Sequence, residues 1–271
     1  MAITNFVPAI WSAALLEAYF ASQVVIPTCN RQYEGEAAKG NEVKITGVTT
    51  PAIQNYATSH THTIDQLTDT TQSLLINQEK AVAFAVDDVD RVQAAGSFEP
   101  VTAAAGSALA EDAETYVITQ MSSNGTALST AAIADAAAAY TSVLNMRKAL
   151  SKAKVPSAGR YLLVNPEFSA LLLGSDSKLS SVDSAGSDNE LRNGVLGRLL
   201  GFTVLESPLL VNSSRAAAIG YHGASVGHVS QISKTEAGRQ ELAFADYVKS
   251  LHVYGSKVLR ATSVQTHLAA S

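Results

Sequence analysis

Residues 159–207 constrain the fold of this chain more than any other stretch. A short apolar run, Tyr161-Leu162-Leu163-Val164, is closed by Asn165-Pro166. A short helix is expected over residues 167–173, then a polar loop over 174–188. A second helix is expected over 189–200, ending at Gly201, and Phe202-Thr203-Val204-Leu205 follows as a strand. Strand, helix, loop, helix, strand is a compact and well-punctuated unit. It carries almost no side chain suited to chemistry.

The rest of the chain must therefore supply a purpose, and composition narrows it. Hydrophobic residues make up 46% of the 271, which is enough for a real core. Charged residues make up only 16%, below the usual quarter or so. A surface this poor in charge suits contact with other subunits, because the centres of interfaces are depleted in charge. The net charge of −5 argues against a broad basic face for gripping nucleic acid. A single cysteine, Cys29, rules out an intrachain disulfide and a cysteine-based zinc site. Residues 6–26 are rather apolar, but no basic residue precedes them, and Pro8, Glu17 and Gln23 interrupt them. They fit neither a signal peptide nor a membrane span.

Around the central unit the order is mixed. Residues 7–20 place Val7, Ile10, Trp11, Ala14, Leu15, Ala18 and Tyr19 on one helical face, with Asn5 as a cap and Pro8 in the first turn. So near the start of the sequence, such a helix reads as an arm that needs a neighbour. Residues 41–48 alternate, with Val43 and Ile45 on one face and Lys44 and Thr46 on the other. Residues 30–66 together read as a two-stranded excursion too poor in apolar content to own a core. Residues 74–86 are strand-like. Long helices are expected over 103–122 (Leu109, Ala113, Tyr116, Val117 and Gln120 on one face) and 131–152 (Ile133, Ala137, Tyr140, Leu144 and Leu150), the latter capped by Ser129 or Thr130. Residues 216–221 read as a buried strand, and strands over 244–251 and 254–264 follow. The class is α+β, with one domain begun before residue 158, completed after residue 233, and a second domain inserted between.

Motifs for chemistry are weak. Gly223-Ala224-Ser225-Val226-Gly227 has the Gly-x-Ser-x-Gly pattern of a nucleophile elbow, with Asp246 and His252 or His267 downstream. Only 46 residues follow Ser225, too few for the strand–helix units that such a hydrolase adds. A serine hydrolase is the minor alternative and a small-residue turn the better reading. His60 and His62 share a face of an extended segment, with Asp65 as a nearby third group. Asp87, Asp88 and Asp90 lack the glycine and distal glutamate of a calcium loop. Gly194, Gly197 and Gly201 have no phosphate-binding spacing, and Lys148, Lys152 and Lys154 read as a solvated helix end. No catalytic, cofactor or metal site is expected.

Several segments, in this order, resemble the major capsid protein of tailed bacteriophages, the Hong Kong 97-type fold. Phe6-Val7-Pro8-Ala9-Ile10-Trp11-Ser12 with Leu15-Leu16 is similar to the family's opening. Arg160-Tyr161-Leu162-Leu163-Val164-Asn165-Pro166 resembles the entry to its axial domain. The run from Asn189-Glu190-Leu191-Arg192 through Arg198 to Thr203-Val204 resembles its most specific segment.

The resemblance implies a capsid fold with an N-terminal arm (1–29), an extended loop (30–66), a peripheral domain with a long spine helix (67–157), an axial domain (158–232) and peripheral return strands (233–271). It implies self-assembly as pentamers and hexamers into an icosahedral shell around double-stranded DNA, held without sequence-specific binding. An encapsulin-like compartment shares the fold and is the alternative. Implied partners are further copies of the chain, a scaffolding protein, a portal protein and decoration proteins, with no membrane. The implied location is the virion, after assembly in the bacterial cytoplasm. Because the sequence opens at the arm with Met1, a separate scaffolding protein is expected rather than a cleaved precursor. Expected subunit contacts are Phe6, Ile10, Trp11, Leu15, Tyr33, Lys39, Val43, Ile45, Arg192 and Arg198. Some relatives cross-link a loop lysine to a peripheral asparagine. Lys39 and Lys44 lie in the loop, but no asparagine follows Asn212, so shell contacts are expected to be non-covalent.

Overall fold

The computed structural model of the chain describes residues 23–34, 40–48, 53, 64, 69–88, 99–174, 197–241 and 243–269. Three sheets organise them. A two-stranded ribbon pairs β1 (Glu42–Val48) with β2 (Asp69–Leu75). A three-stranded antiparallel sheet sets β10 (Ala245–Val258) between β3 (Gln78–Asp87) and β9 (Val226–Arg239). A six-stranded mixed sheet contains β4 (Thr126–Ser129), β5 (Arg160–Val164), β6 (Arg198–Leu199), β7 (Phe202–Glu206), β8 (Ala217–His222) and β11 (Val264–Leu268). Its order is β4-β11-β8-β5-β7-β6.

The six-stranded sheet is covered on both faces, so its central strands are nearly continuous in apolar residues rather than alternating. On one face Leu162, Val164 and Ala218 pack against Val143, Met146 and Leu150 of helix α2 (Ala136–Lys152) and Phe168 of helix α3 (Pro166–Leu173). On the other face Leu163, Ile219 and Tyr221 meet Ala113, Val117, Ile118 and Met121 of helix α1 (Glu99–Asn124). Tyr254 and Val258 of β10 join that second core, so α1 locks the two larger sheets together. With 26 residues, α1 is about 39 Å long.

Local chemistry sets the element ends. Asn165 caps α3 by accepting from the Phe168 N–H at 3.1 Å, and Pro166 follows at the first helical position. Asp135, not Ser129 or Thr130, caps α2, accepting from the Ala138 N–H at 2.7 Å. Residues 126–129 are extended because they pair in parallel with β11 at the sheet edge. The buried stripe of α2 is Ala139, Ser142, Val143, Met146 and Leu150, while Leu144 is exposed. An alanine-rich helix gives little apolar contrast, and Ser142 takes a buried place through a 2.7 Å hydrogen bond to His267 Nδ1.

The expected helix over 189–200 does not reach its end as helix. Arg198-Leu199 is a strand paired with Phe202-Thr203, and Leu200 (φ 49°) and Gly201 (φ 85°) form the tight turn between them. Two consecutive positive φ values mark a hairpin turn whose twist suits the flanking strands. Gly201 therefore serves that turn and does not stop a helix. The partner of β1 lies at 69–75, beyond the expected loop limit of 66. The strand expected over 74–86 breaks at Ile76-Asn77, which leaves β2 in the ribbon and β3 in the three-stranded sheet. The two expected C-terminal strands are one long β10 with a register shift between Val253 and Tyr254, followed by β11 in the six-stranded sheet. The last strand therefore does not return to the sheet of β10. The segment over 7–20 lies outside the described residues.

A buried polar cluster sits between β9, β10 and α1. His228 Nδ1 is 2.9 Å from Ser256 Oγ, and His252 Nε2 is 3.0 Å from Ser230 Oγ. His252 stacks on Tyr254 at 4.8 Å, and the Tyr254 hydroxyl donates to Asp112 at 2.7 Å. Burial, with repulsion from His252, pushes His228 down to about 3; burial pushes His252 down to about 4, against the pull of Asp112. Both rings stay neutral in the fold while unfolded histidines gain protons below about pH 6.5. The unfolded state then binds more protons, so stability is lost as pH falls from about 6.5 towards those lowered values. Denaturant titration of the subunit at about pH 7 and pH 5 should show a loss of a few kcal/mol at the lower pH. His228→Gln with His252→Gln should remove most of that slope.

Candidate functional site: strap and ribbon

Two segments are bolted onto the body at defined points. The first is a strap over residues 23–30. Val25, Ile26 and Cys29 are buried in the core formed by α1, β8 and β10. This stretch is therefore part of the body and not free arm, contrary to the expected limit of the arm at residue 29. The Val24 and Val25 N–H groups both donate to Glu114 Oε2 on α1, at 2.7 and 3.2 Å. Thr28 Oγ1 lies 2.6 Å from the Tyr221 hydroxyl of β8. Asn30 bridges to β9 through its N–H to Val226 O (2.8 Å) and its O from the His228 N–H (3.0 Å). The strap thus ties the long helix to both larger sheets. Gly223 lets it pass: an added Cβ there would lie 2.5 Å from Thr28 O. Burial pushes the Cys29 thiol up to about 12, so it is an unreactive core group.

The second is the ribbon. Its base is held by Ile76 N–H to Asn41 O (2.9 Å), Gln231 Nε2 to Gly40 O (2.8 Å) and Lys257 Nζ to Ser73 O (2.7 Å). Val43, Leu74 and Ile76 pack there with Val229 and Val253, and Tyr33 and Ile45 close the cluster. Each seven-residue strand then runs roughly 24 Å from that base. Between the two strands in sequence, Ile53 is fully exposed and Ile64 is 84% exposed. Phe244, in the turn between β9 and β10, is 78% exposed. Around that turn Arg239 pairs with Asp88 and reaches Asp246 at 3.7 Å. Glu236 bridges Lys234 (2.5 Å) and Lys249 (2.9 Å), whose hydrogen bonds hold its carboxyl down at about 2. These ion pairs are exposed and add little stability.

Of the expected contact residues, Val43 is buried in its own subunit's ribbon base, Tyr33 and Ile45 are half-buried beside it, and Arg198 is exposed on β6. Phe6, Ile10, Trp11, Leu15, Lys39 and Arg192 lie outside the described residues, as do His60 and His62. The hydrolase groups are not assembled. Ser225 is buried in a turn, His252 is engaged with Ser230, and His267 is held between Ser142 and Ala131 O. Sequence reasoning missed Glu114 and Gly255, and it read Asn165 only as an element boundary, not as the buried junction that joins β5, α3 and β8. A glutamate inside the apolar stripe of α1 was the one available signal.

A long helix joining two sheets, a projecting ribbon and a pinned N-terminal strap define the fold of tailed-phage capsid subunits. The sequence profile of a family described as phage capsid protein matches residues 71–266, and the chain belongs to that family. A solved structure from Mycobacterium phage Che8 is similar at 42% identity, covering 98% of each chain with a TM-score of 0.84. The capsid structure of cyanophage P-SCSP1u matches at 15% identity, over 86% of this chain and 85% of that one, with a TM-score of 0.73. The mature capsid of bacteriophage PhiM1 matches at 15% identity, over 86% and 83%, with a TM-score of 0.70. These last two share the fold. No curated protein matches the sequence. The chain is a structural protein of the virion shell with the Hong Kong 97-like α+β fold.

Proposed function

We propose that the chain assembles as pentamers and hexamers into an icosahedral shell that encloses phage double-stranded DNA. The observation that carries this reading is the ribbon. Among the described residues it has a core only at its base, and between its two strands in sequence Ile53 and Ile64 are bare. Exposed apolar side chains beside a ribbon with so small a core need a surface to cover them, and a neighbouring copy of the chain supplies one. Residues 1–22 act as the arm that crosses to a neighbour. The peripheral domain comprises β3, α1, β9 and β10, and the axial domain comprises the six-stranded sheet with α2 and α3. Many modest contacts then give a stable closed shell through avidity. The acidic balance suits a container that does not grip its DNA. A scaffolding protein, a portal and decoration proteins are the further partners, and assembly occurs in the bacterial cytoplasm.

Negative-stain microscopy with size-exclusion chromatography tests this on the full chain, alone and with the scaffolding protein of the same phage. Closed shells are expected. A persistent monomer under both conditions would count against the reading, and protein cargo in place of DNA inside purified particles would favour a compartment. The shell is expected to be non-covalent. Mass spectrometry of denatured particles should return the single-chain mass, and a ladder of multiples would overturn that expectation.

A further inference from the structure

We infer that Glu114 is the residue that positions the N-terminal segment, by clamping two successive backbone amides and so fixing where and in which direction residues 1–22 leave the body. This rests on reading those residues as an arm.

Position 114 belongs to the buried stripe of α1, among Ala110, Ala113, Val117 and Ile118, and it is only 2% exposed. A carboxylate there is costly, since charge leaves water for an apolar setting. Among the described residues its stabilisers are all neutral: the Val24 and Val25 N–H groups and the Ser207 hydroxyl. Those bonds are charge-assisted and directional. An alkyl side chain would add packing, which Val25 and Ile26 already supply. Only an acceptor reads the direction of two adjacent amides. Among the described residues Val24 is the first whose backbone amide is pinned, and Gln23 Nε2 is buried with no hydrogen-bond partner there. Among the described residues Glu114 holds the first fixed point of the strap, ahead of Thr28 and Asn30.

The clamp also has a sign with pH. Burial raises the carboxyl above its usual value, and the two amides and Ser207 oppose that in part. Facing it across the strap and β8 are the Cys29 thiol and the Tyr221 phenol, both raised by burial and so neutral. Arg31 sits beyond Cys29. On α1 itself Glu111 is exposed, while Asp112 turns to Lys80 and Tyr254. Opening the strap would return Glu114 to water and release its proton. The closed strap is therefore favoured below the raised value, and the strap loosens as pH rises through it.

Hydrogen–deuterium exchange on the full-length subunit, corrected for intrinsic rates, reads this at about pH 5 and about pH 8. Glu114→Ala is expected to speed exchange at Val24 and Val25 about tenfold while β5 and β8 stay protected. Glu114→Gln keeps an acceptor oxygen without the charge. It should restore protection and abolish the loosening that the native chain shows at higher pH. Unchanged protection in Glu114→Ala, loss spread equally over both larger sheets, or failure of Glu114→Gln to restore protection would each overturn the clamp. Should Glu114→Ala fail to fold, the pH profile of Glu114→Gln decides alone. If the strap loosens but shells form at native yield, the clamp stands and the reading of residues 1–22 as an assembly arm fails.

Discussion

Replacing Asn165 by alanine is expected to cost about 3–5 kcal/mol, because it strands several buried polar groups at once. Asn165 is 1% exposed at the junction of β5, α3 and β8. Its Oδ1 accepts from the Phe168 N–H (3.1 Å) and the Ala217 N–H (2.9 Å), and its Nδ2 donates to Arg215 O (2.6 Å). The side chain therefore caps a helix, starts a strand and holds the loop before it. Alanine supplies none of these partners, and a buried backbone group without a partner costs about 1–3 kcal/mol. Thermal unfolding of the unassembled subunit should show a midpoint lower by on the order of 10 °C. Asn165→Asp should fall between, since it keeps both acceptor contacts but sets a carboxylate against Arg215 O. A midpoint within about 2 °C of the native value for the alanine variant would refute the junction role.

The legibility of this chain followed the range of the interactions involved. The β5–α3 step was readable because Asn165-Pro166 closes one element and opens the next within two residues. Strand β8 was readable from its apolar run. The partner of β1 was not, because Asp-Thr-Thr-Gln-Ser-Leu-Leu carries little alternation and its strand character comes from pairing across the ribbon. Strand β4 is four residues long and exists because β11, about 140 positions later, offers an edge. The stripe of α2 was misplaced because alanines surround it, and Ser142 counts as polar until His267 is seen beside it. Glu114 was not legible as a clamp for a related reason: its place inside the apolar stripe of α1 is a signal, but a charge on a long helix reads as exposed unless the strap that covers it is known. The resemblance gave the order of the parts. It could not give the pins that hold the strap and ribbon, which are backbone contacts between distant segments.

Gly255→Ala is the change expected to separate folding from assembly. Gly255 lies on β10 where the ribbon leaves the body, and an added Cβ would sit 2.2 Å from Leu75 O and 2.9 Å from Ile76 Cα. Both are backbone atoms, so no side-chain rotation relieves the clash, and the exit of β2 must move by more than 1 Å to reach ordinary contact. The Ile76 N–H to Asn41 O bond and the Lys257 to Ser73 O bond lie within that same exit and would be strained with it. Overpacking of this kind costs about 1–3 kcal/mol, and occasionally more. The core between α1 and the six-stranded sheet and the core under α2 and α3 do not include the site, so the subunit should still fold. A small tilt at the base is magnified along the ribbon, which carries Ile53 and Ile64 to their proposed contacts. Shell yield is therefore expected to fall about tenfold or more while the subunit's thermal midpoint drops by only a few degrees. Gly201→Ala is the control. That residue also needs a positive φ, at 85°, but has no atom within 4 Å of an added Cβ and lies in the β6–β7 turn. It should cost about 1 kcal/mol and leave assembly intact. Particle counts by microscopy, with exchange measured over residues 40–76, distinguish the cases. Native shell yield from Gly255→Ala with a displaced ribbon would mean that the ribbon's aim does not govern assembly.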